Sequence, residues 1–253
     1  MTPPTHARAV HAVPVDTEAP ATGSAPEAGS AAPDLAAWNR SLNQTHAMAA
    51  MRARAGVVVN AIEARRRRLM VDAVLRDAPK RVIDVGCEDG WIAEGYAERV
   101  QHLVLSDIDA NVLEQSPLAT RPHVDTIAAD ATAPHALVEA LGAAWADVIV
   151  LSALLEHVPE PRAVLRGLHP LLAPGGRFVI YLPADRPIGF FKDVLRHTRL
   201  GGLVRGLSLE PAPGHLHVFG RRDVVALTRR FGVLERVTFD PICLGWIVSV
   251  RRR

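Results

Sequence analysis

Apolar positions along this chain come in short runs whose spacing switches repeatedly between strand-like and helix-like. "RVIDVG" (81–86) is a near-continuous apolar run ending at a glycine, and "WIAEGYAERV" (91–100) carries helical spacing. The alternation repeats with "HLVLSD" (102–107) and "ANVLEQS" (110–116), then "VDTIAAD" (124–130) and "PHALVEALG" (134–142). It repeats again with "ADVIVLS" (146–152) and "PRAVLRGLHPLL" (161–172), and reaches the strand "RFVIYLPA" (177–184) after an "APGG" turn. Strands apolar on both sides, alternating with helices, predict a parallel sheet covered on both faces. The ending breaks this rhythm. A helix (221–232) precedes two strands, "LERVTFD" (234–240) and "LGWIVSVRR" (244–252), joined only by "PIC". So short a link permits a hairpin but no parallel crossover. The expected α/β fold is therefore a doubly wound sheet of seven strands, mostly parallel, with an antiparallel last strand.

Three stretches lie outside this alternation. Residues 47–76 have helical spacing and read as two segments hinged near Gly56, within an N-terminal helical region taken as 35–78. Residues 1–34 are rich in Ala, Pro, Ser, Gly and Thr without an apolar face, and are expected to be a disordered tail ahead of the main domain at 79–253. Residues 185–220 cluster Gly, Pro and His and fit no regular element; a stretch of that length is expected to act as a lid or binding segment.

Composition narrows the function classes. The chain has 253 residues, 49% of them hydrophobic, enough for one substantial core. A net charge of +2 gives no reason to expect a nucleic-acid partner. No apolar run is long enough for a membrane span. Cys87 and Cys243 have neither zinc-site nor disulfide-framework spacing, so a reduced, cytoplasmic setting is the default expectation.

The chemistry starts at "DVGCEDG" (84–90), a buried strand running into a glycine turn. A phosphate-gripping Walker loop needs Gly-Lys-Ser/Thr, which is missing. A dinucleotide turn wants G-x-G-x-x-G. Here Gly86 and Gly90 are four apart, and Glu88 between them would repel a pyrophosphate. A cationic ligand tolerates that acid.

At this point the sequence resembles the class I S-adenosylmethionine-dependent methyltransferases, whose first motif is acid-x-Gly-x-Gly-x-Gly. Asp84, Gly86 and Gly90 match it, and Glu88 replaces the middle glycine. The resemblance continues through Asp107 in "LSDID", Asp130 in "AADAT", and "LSALLEHVPEP" followed by "LLAPGG", wording similar to the small-molecule branch of the family. It covers about residues 60–250 and implies a Rossmann-like fold with S-adenosyl-L-methionine as cofactor. Asp107 would then accept both ribose hydroxyls, a task suited to a carboxylate. Ile108 would pack the adenine, Asp130 and Ala131 would meet its polar edge, and Ser152 would border the site. Glu88 has two readings: pointing outward, or bonding the cofactor's ammonium group. Arg66 lies on the apolar face of its helix, between Ile62 and Met70, and needs an anion. That anion is either the cofactor's carboxylate, as in related quinone-type O-methyltransferases, or a nearby acid. Arg65, Arg67 and Arg68 read as a solvated face.

Methyl transfer to a hydroxyl or ammonium acceptor calls for a base near neutral pH. Histidine candidates are His157, which follows Glu156 at the end of the fourth strand, and His215 and His217 in "GHLHVFG". Some quinone O-methyltransferases hold a divalent metal through S-E-x-x-E-H. In "SALLEH" here Ala153 replaces the first Glu, so no metal is expected. The acceptor expected from the resemblance and the apolar 185–220 segment is a small molecule: a secondary metabolite, sugar or quinone-like compound methylated on oxygen. N-methylation of an amine or peptide, or a non-catalytic protein that retains the fold, are the alternatives. A homodimer is left open.

Overall fold

The structure is a computed structural model that describes residues 55–184, His197 and residues 215–253. The expected tail, the first part of the N-terminal helical region and most of the 185–220 segment lie outside the described residues.

Helix α1 (Val57–Val74) opens the described chain, with Gly56 as its N-cap residue. The strands are β1 (Arg81–Val85), β2 (His102–Asp107), β3 (Val124–Ala128), β4 (Ala146–Ser152), β5 (Leu172–Pro183), β6 (Val233–Asp240) and β7 (Gly245–Arg251). Between them lie α2 (Ala110–Glu114), α3 (His135–Leu141), α4 (Pro161–Leu168) and α5 (Arg221–Thr228). They form one seven-stranded sheet in the order β3-β2-β1-β4-β5-β7-β6, in which β7 is antiparallel to both neighbours. This is the expected fold. Strand order reverses between β1 and β4, which opens a crevice at their carboxyl ends where ligands bind in such sheets.

Alternation along the central strands supplies two cores. Ile83 and Val85 of β1 join Ile149, Leu151, Phe178 and Ile180 on one face, under α4 and α5. Val82 joins Met70, Tyr96, Leu103, Leu105, Val148 and Val150 on the other, under α1. A period of two sends successive side chains to opposite faces, so a strand buried on both sides must be apolar almost throughout. Arg177 anchors α1 to this sheet. It is 3% exposed, and its guanidinium donates to the carbonyls of Val74 (3.0 Å) and Arg76 and to Asp77 (3.3 Å), satisfying the end of the helix.

Three readings of the chain need correction. The "APGG" stretch is part of β5, which starts at Leu172, and the helix before it ends at Leu168. Residues 91–100 form two separate 3₁₀ turns, Ala93–Gly95 and Ala97–Arg99, rather than one α-helix. The cause is close packing on α1: a Cβ on Gly95 would stand 2.4 Å from Val71 Cγ2. Arg68 is exposed as expected, but Arg65 and Arg67 are not a bare solvated face. Arg65 pairs with Asp240 at 2.8 Å and Arg67 with Glu94 at 3.1 Å, and Arg67 also stacks over Trp91.

The Gly95 contact is testable. Gly95→Ala should cost about 1–3 kcal/mol through overpacking against Val71 and lower the thermal midpoint. The double change Gly95→Ala, Val71→Ala should recover part of that loss. A midpoint unchanged in the single variant would show that α1 does not press on this turn.

Candidate functional site

Carboxyl-terminal strand ends build one cleft. Its walls include Gly86, Glu88, Asp107, Ile108, Ala129, Asp130, Ala131, Ala153, Leu154, His157 and Val158, around about 710 Å³ of space open to solvent. The loops after β1, β2, β3 and β4 thus meet at the point where the strand order reverses.

The floor is made by β1 and β2 together. Gly86 N–H donates to the Ser106 carbonyl (2.8 Å), and Gly86 has φ of +69°. A side chain there would be strained, and its Cβ would press on Leu154 Cδ1 at 3.0 Å. Glu88 occupies the left-handed region too, with φ of +51°. It adopts backbone geometry that glycine adopts freely and any other residue adopts at a cost of about 1 kcal/mol or more. That geometry directs the Glu88 N–H onto Asp107 Oδ2 at 3.0 Å, while the Asp109 N–H donates to Asp107 Oδ1 at 3.1 Å. Both oxygens of the strand-end acid are thereby oriented. Burial pushes the Asp107 carboxyl above its ordinary range, against the pull of these backbone donors.

Asp130 and Ala131 form the β3 side. Asp130 Oδ1 accepts from the Thr132 N–H (2.8 Å) and hydroxyl (2.7 Å), a local turn that fixes the loop. The β4 side begins with Ala153, held at φ of +56°, its N–H donating to the Tyr181 carbonyl at 3.1 Å.

Of the residues singled out from sequence, Gly86, Glu88, Asp107, Ile108, Asp130, Ala131 and His157 line the cleft. Asp84, Gly90, Ser152 and Arg66 do not line it, and each has another position. Asp84 points to the same sheet face as Val82, is 2% exposed, and accepts a 2.5 Å hydrogen bond from the Tyr96 hydroxyl beneath the turn. Burial raises its carboxyl to about 7. Gly90 closes the turn through its N–H to the Cys87 carbonyl at 2.9 Å. Ser152 ends β4, one residue short of the lining. Arg66 meets Glu63 of its own helix at 2.6 Å and lies over the Tyr181 ring at 5.4 Å. Burial works against its charge, but Glu63, Tyr181, Glu88 and Glu156 outweigh it and raise the pKa.

The histidines separate. His157 and His215 meet edge to face, ring centroids 4.9 Å apart, and Glu156 Oε1 lies 3.9 Å from His157 Nε2. The Glu156 carboxylate is fully buried. His217 Nε2 instead donates to the carbonyls of Val158 (2.9 Å) and Pro159 (3.1 Å), fastening residues 215–219 to the loop after β4. Leu216 N–H adds a 2.7 Å bond to the Glu156 carbonyl. Sequence reading passed over Ala129, Ala153, Leu154 and Val158 as lining. They are small or aliphatic residues with no chemical signature, and only their position after a strand end could have marked them.

Against known proteins, residues 61–233 match the family model of a methyltransferase domain. An uncharacterized methyltransferase of Mycobacterium tuberculosis is 32% identical over 117 residues, which are 44% of this chain and 54% of that protein. A ubiquinone biosynthesis O-methyltransferase of Psychrobacter cryohalolentis is 37% identical over 108 residues, 41% of this chain and 40% of that one. The chain thus spans about half the length of the curated relatives it matches. Among solved structures, the magnesium protoporphyrin IX methyltransferase of Synechocystis PCC 6803, with bound S-adenosylhomocysteine, aligns with a TM-score of 0.62 at 18% identity, covering 87% of this chain and 100% of that one. The 1,6-didemethyltoxoflavin-N1-methyltransferase of Burkholderia thailandensis aligns at 0.61 and 19%, covering 90% and 93%.

Asp84 makes a pH prediction. Its folded pKa, about 7, is above the ordinary aspartate value of about 3.9, so the native state holds a proton that the unfolded state gives up. Stability from this group is full below about pH 4 and declines as pH rises towards 7, by about 1.4 kcal/mol per unit at most. In Asp84→Asn, chemical denaturation between pH 4.5 and 7.5 should lose that downward slope. A slope identical to wild type would place the buried proton elsewhere.

Proposed function

This chain belongs to the methyltransferase domain family, and from that membership we propose that it moves a methyl group from S-adenosyl-L-methionine to a small-molecule acceptor, by O-methylation of a secondary metabolite, sugar or quinone-like compound. The observation that carries this reading is the pairing, across one cleft, of a pre-oriented acid, Asp107, with a histidine, His157. The acid stands on the side where a ribose diol would be held. The histidine stands on the side where an acceptor would lose a proton.

The chemistry follows from these groups. Asp107, already oriented by two backbone donors, accepts from the two ribose hydroxyls. Its buried negative charge, with Glu88 beside it, favours a cationic sulfonium ligand over a phosphate-bearing one. Ile108 and Ala131 supply apolar contact for a base. Arg66, held charged near the middle of α1, is the group proposed for the methionine carboxylate. In an in-line displacement the acceptor oxygen forms a bond to the methyl carbon while the carbon–sulfur bond breaks, its electron pair remaining on sulfur. Alignment of donor and acceptor supplies much of the rate. The acceptor proton goes to the His157–His215 pair, which Glu156 backs with negative charge. An imidazole pair serves an ammonium acceptor equally well, so amine methylation is the second reading.

Two measurements test this. Asp107→Ala should weaken calorimetric binding of S-adenosylmethionine by about 1.5–3 kcal/mol, the loss of charge-assisted hydrogen bonds. An unchanged dissociation constant would remove Asp107 from the cofactor site. With an accepted small molecule in hand, His157→Ala should lower turnover about 10²–10⁴-fold while leaving cofactor affinity nearly unchanged. Full turnover in that variant, with a collapse in His215→Ala, would transfer the base to His215.

A further inference from the structure

Glu156, His157 and His215 each offer one ligand atom, and these atoms all lie within 4.8 Å of one another. No other such group of three occurs among the described residues. We propose that this trio is a binding site for a divalent first-row transition ion of the zinc class, one ion per chain, at the acceptor wall of the cleft. The proposal rests on the methyltransferase reading only for what the ion does, not for its binding.

Donor chemistry comes first. Two imidazoles and one carboxylate suit zinc, cobalt or iron(II), whereas magnesium prefers an all-oxygen shell. Geometry agrees. Ligands at about 2.0–2.2 Å from a tetrahedral ion stand roughly 3–4 Å from each other. The Glu156 Oε1 to His157 Nε2 separation is 3.9 Å, and the His215 donor lies within 4.8 Å of the other two. The rings of His157 and His215 lie at 76° to each other with centroids 4.9 Å apart, so the two imidazoles are neighbours without parallel stacking.

Placement is the second argument. The three donors come from two segments distant in sequence, and one backbone bond and one histidine side chain, both just after His215, hold those segments together. Leu216 N–H donates to the Glu156 carbonyl, and His217 fastens to Val158 and Pro159. A site assembled in this way is already ordered before an ion arrives. Glu156 is 0% exposed. A divalent ion held by this carboxylate and two neutral imidazoles keeps a coordination position towards the cleft lined by His157. The third donor is the unexpected part. Position 153, where a second carboxylate would be sought in sequence, is Ala153, and the missing donor arrives instead from His215, 62 positions later in the chain. Bound there, the ion would hold an acceptor oxygen and lower its pKa, and would replace His157 as the means of removing the acceptor proton, because a metal-bound imidazole has no lone pair left to accept it.

The test uses the full chain, stripped with EDTA and dialysed against zinc chloride. One zinc per chain is expected, with affinity reduced about 100-fold or more in His157→Ala and in His215→Ala. His102→Ala, whose ring pairs with Asp125 on the opposite edge of the sheet, should bind as wild type does. Circular dichroism establishes whether each variant is folded. Should one fail, cobalt(II) titrated into wild type gives the answer: an intense visible absorption of four- or five-coordinate cobalt is expected. Absence of saturable zinc binding, a weak six-coordinate cobalt spectrum, or zinc binding undiminished in both histidine variants would overturn the site. S-adenosylmethionine binding, measured separately on the stripped protein, distinguishes that failure from a failure of the methyltransferase reading. Cofactor binding without zinc binding removes the ion alone, and zinc binding without cofactor binding removes the methyltransferase reading alone.

Discussion

One carboxylate holds the site together. Asp107 ends β2, and its two oxygens accept the N–H groups of Glu88 and Asp109. The first bond ties the turn after β1 to the end of β2; the second starts the turn into α2, whose first residues are capped by Asp109. The acid is almost wholly buried, so those bonds are needed in the absence of a ligand, because a desolvated charge without donors is costly. The same requirement explains Glu88. Its left-handed backbone carries a strain of about 1 kcal/mol or more, offset by a charge-assisted hydrogen bond to Asp107. A glutamate in the place of a glycine is thus compatible with an intact turn, because the position requires a backbone conformation and not an absence of side chain.

Beneath that turn, Asp84 and Tyr96 form a second polar layer inside an apolar face. The pair links the strand that bears the glycine turn to the two 3₁₀ turns that follow it. Those turns are pressed by α1 at Gly95. α1 in turn is anchored at its end by Arg177 of β5 and at its middle by Arg65 to Asp240. A continuous set of contacts therefore runs from the far side of the sheet to the floor of the cleft, and Arg66 rides on it above Tyr181.

The other wall is set by a strap. Residues 215–219 run along the loop after β4, and the Trp246 indole N–H donates to the Phe219 carbonyl at 3.2 Å. Phe219 itself is buried in the core beside Val224 and Leu227 of α5. Histidines from two distant parts of the chain meet because this strap is registered by one backbone bond, by the His217 side chain and by an aromatic anchor. That register gives the two histidines of "HLH" different tasks: His215 faces His157, and His217 holds the loop carbonyls.

Much of this was legible in sequence, for physical reasons that differ by element. Strands β1, β2, β4 and β5 are buried on both faces, so their apolar runs are nearly unbroken, and β4 emerges with the same bounds in sequence and structure, Ala146–Ser152. The four-residue link between β6 and β7 forbade a crossover, which determined the antiparallel end of the sheet. Gly86, Asp107 and Asp130 could be placed at strand ends because a ligand site in such a sheet has nowhere else to form. Local pattern did not settle what depends on contacts between distant segments. Helical spacing in 91–100 gave way to packing against Val71. The partners of Arg65, Arg66 and Arg67 followed from where α1 lands. The meeting of Glu156 and His157 with His215 was decided by the strap alone. Sequence carries periodicity and chain stiffness, which act over a few residues; the tertiary structure decides which side chains share a few ångströms of space, and that is where the chemistry of this cleft resides.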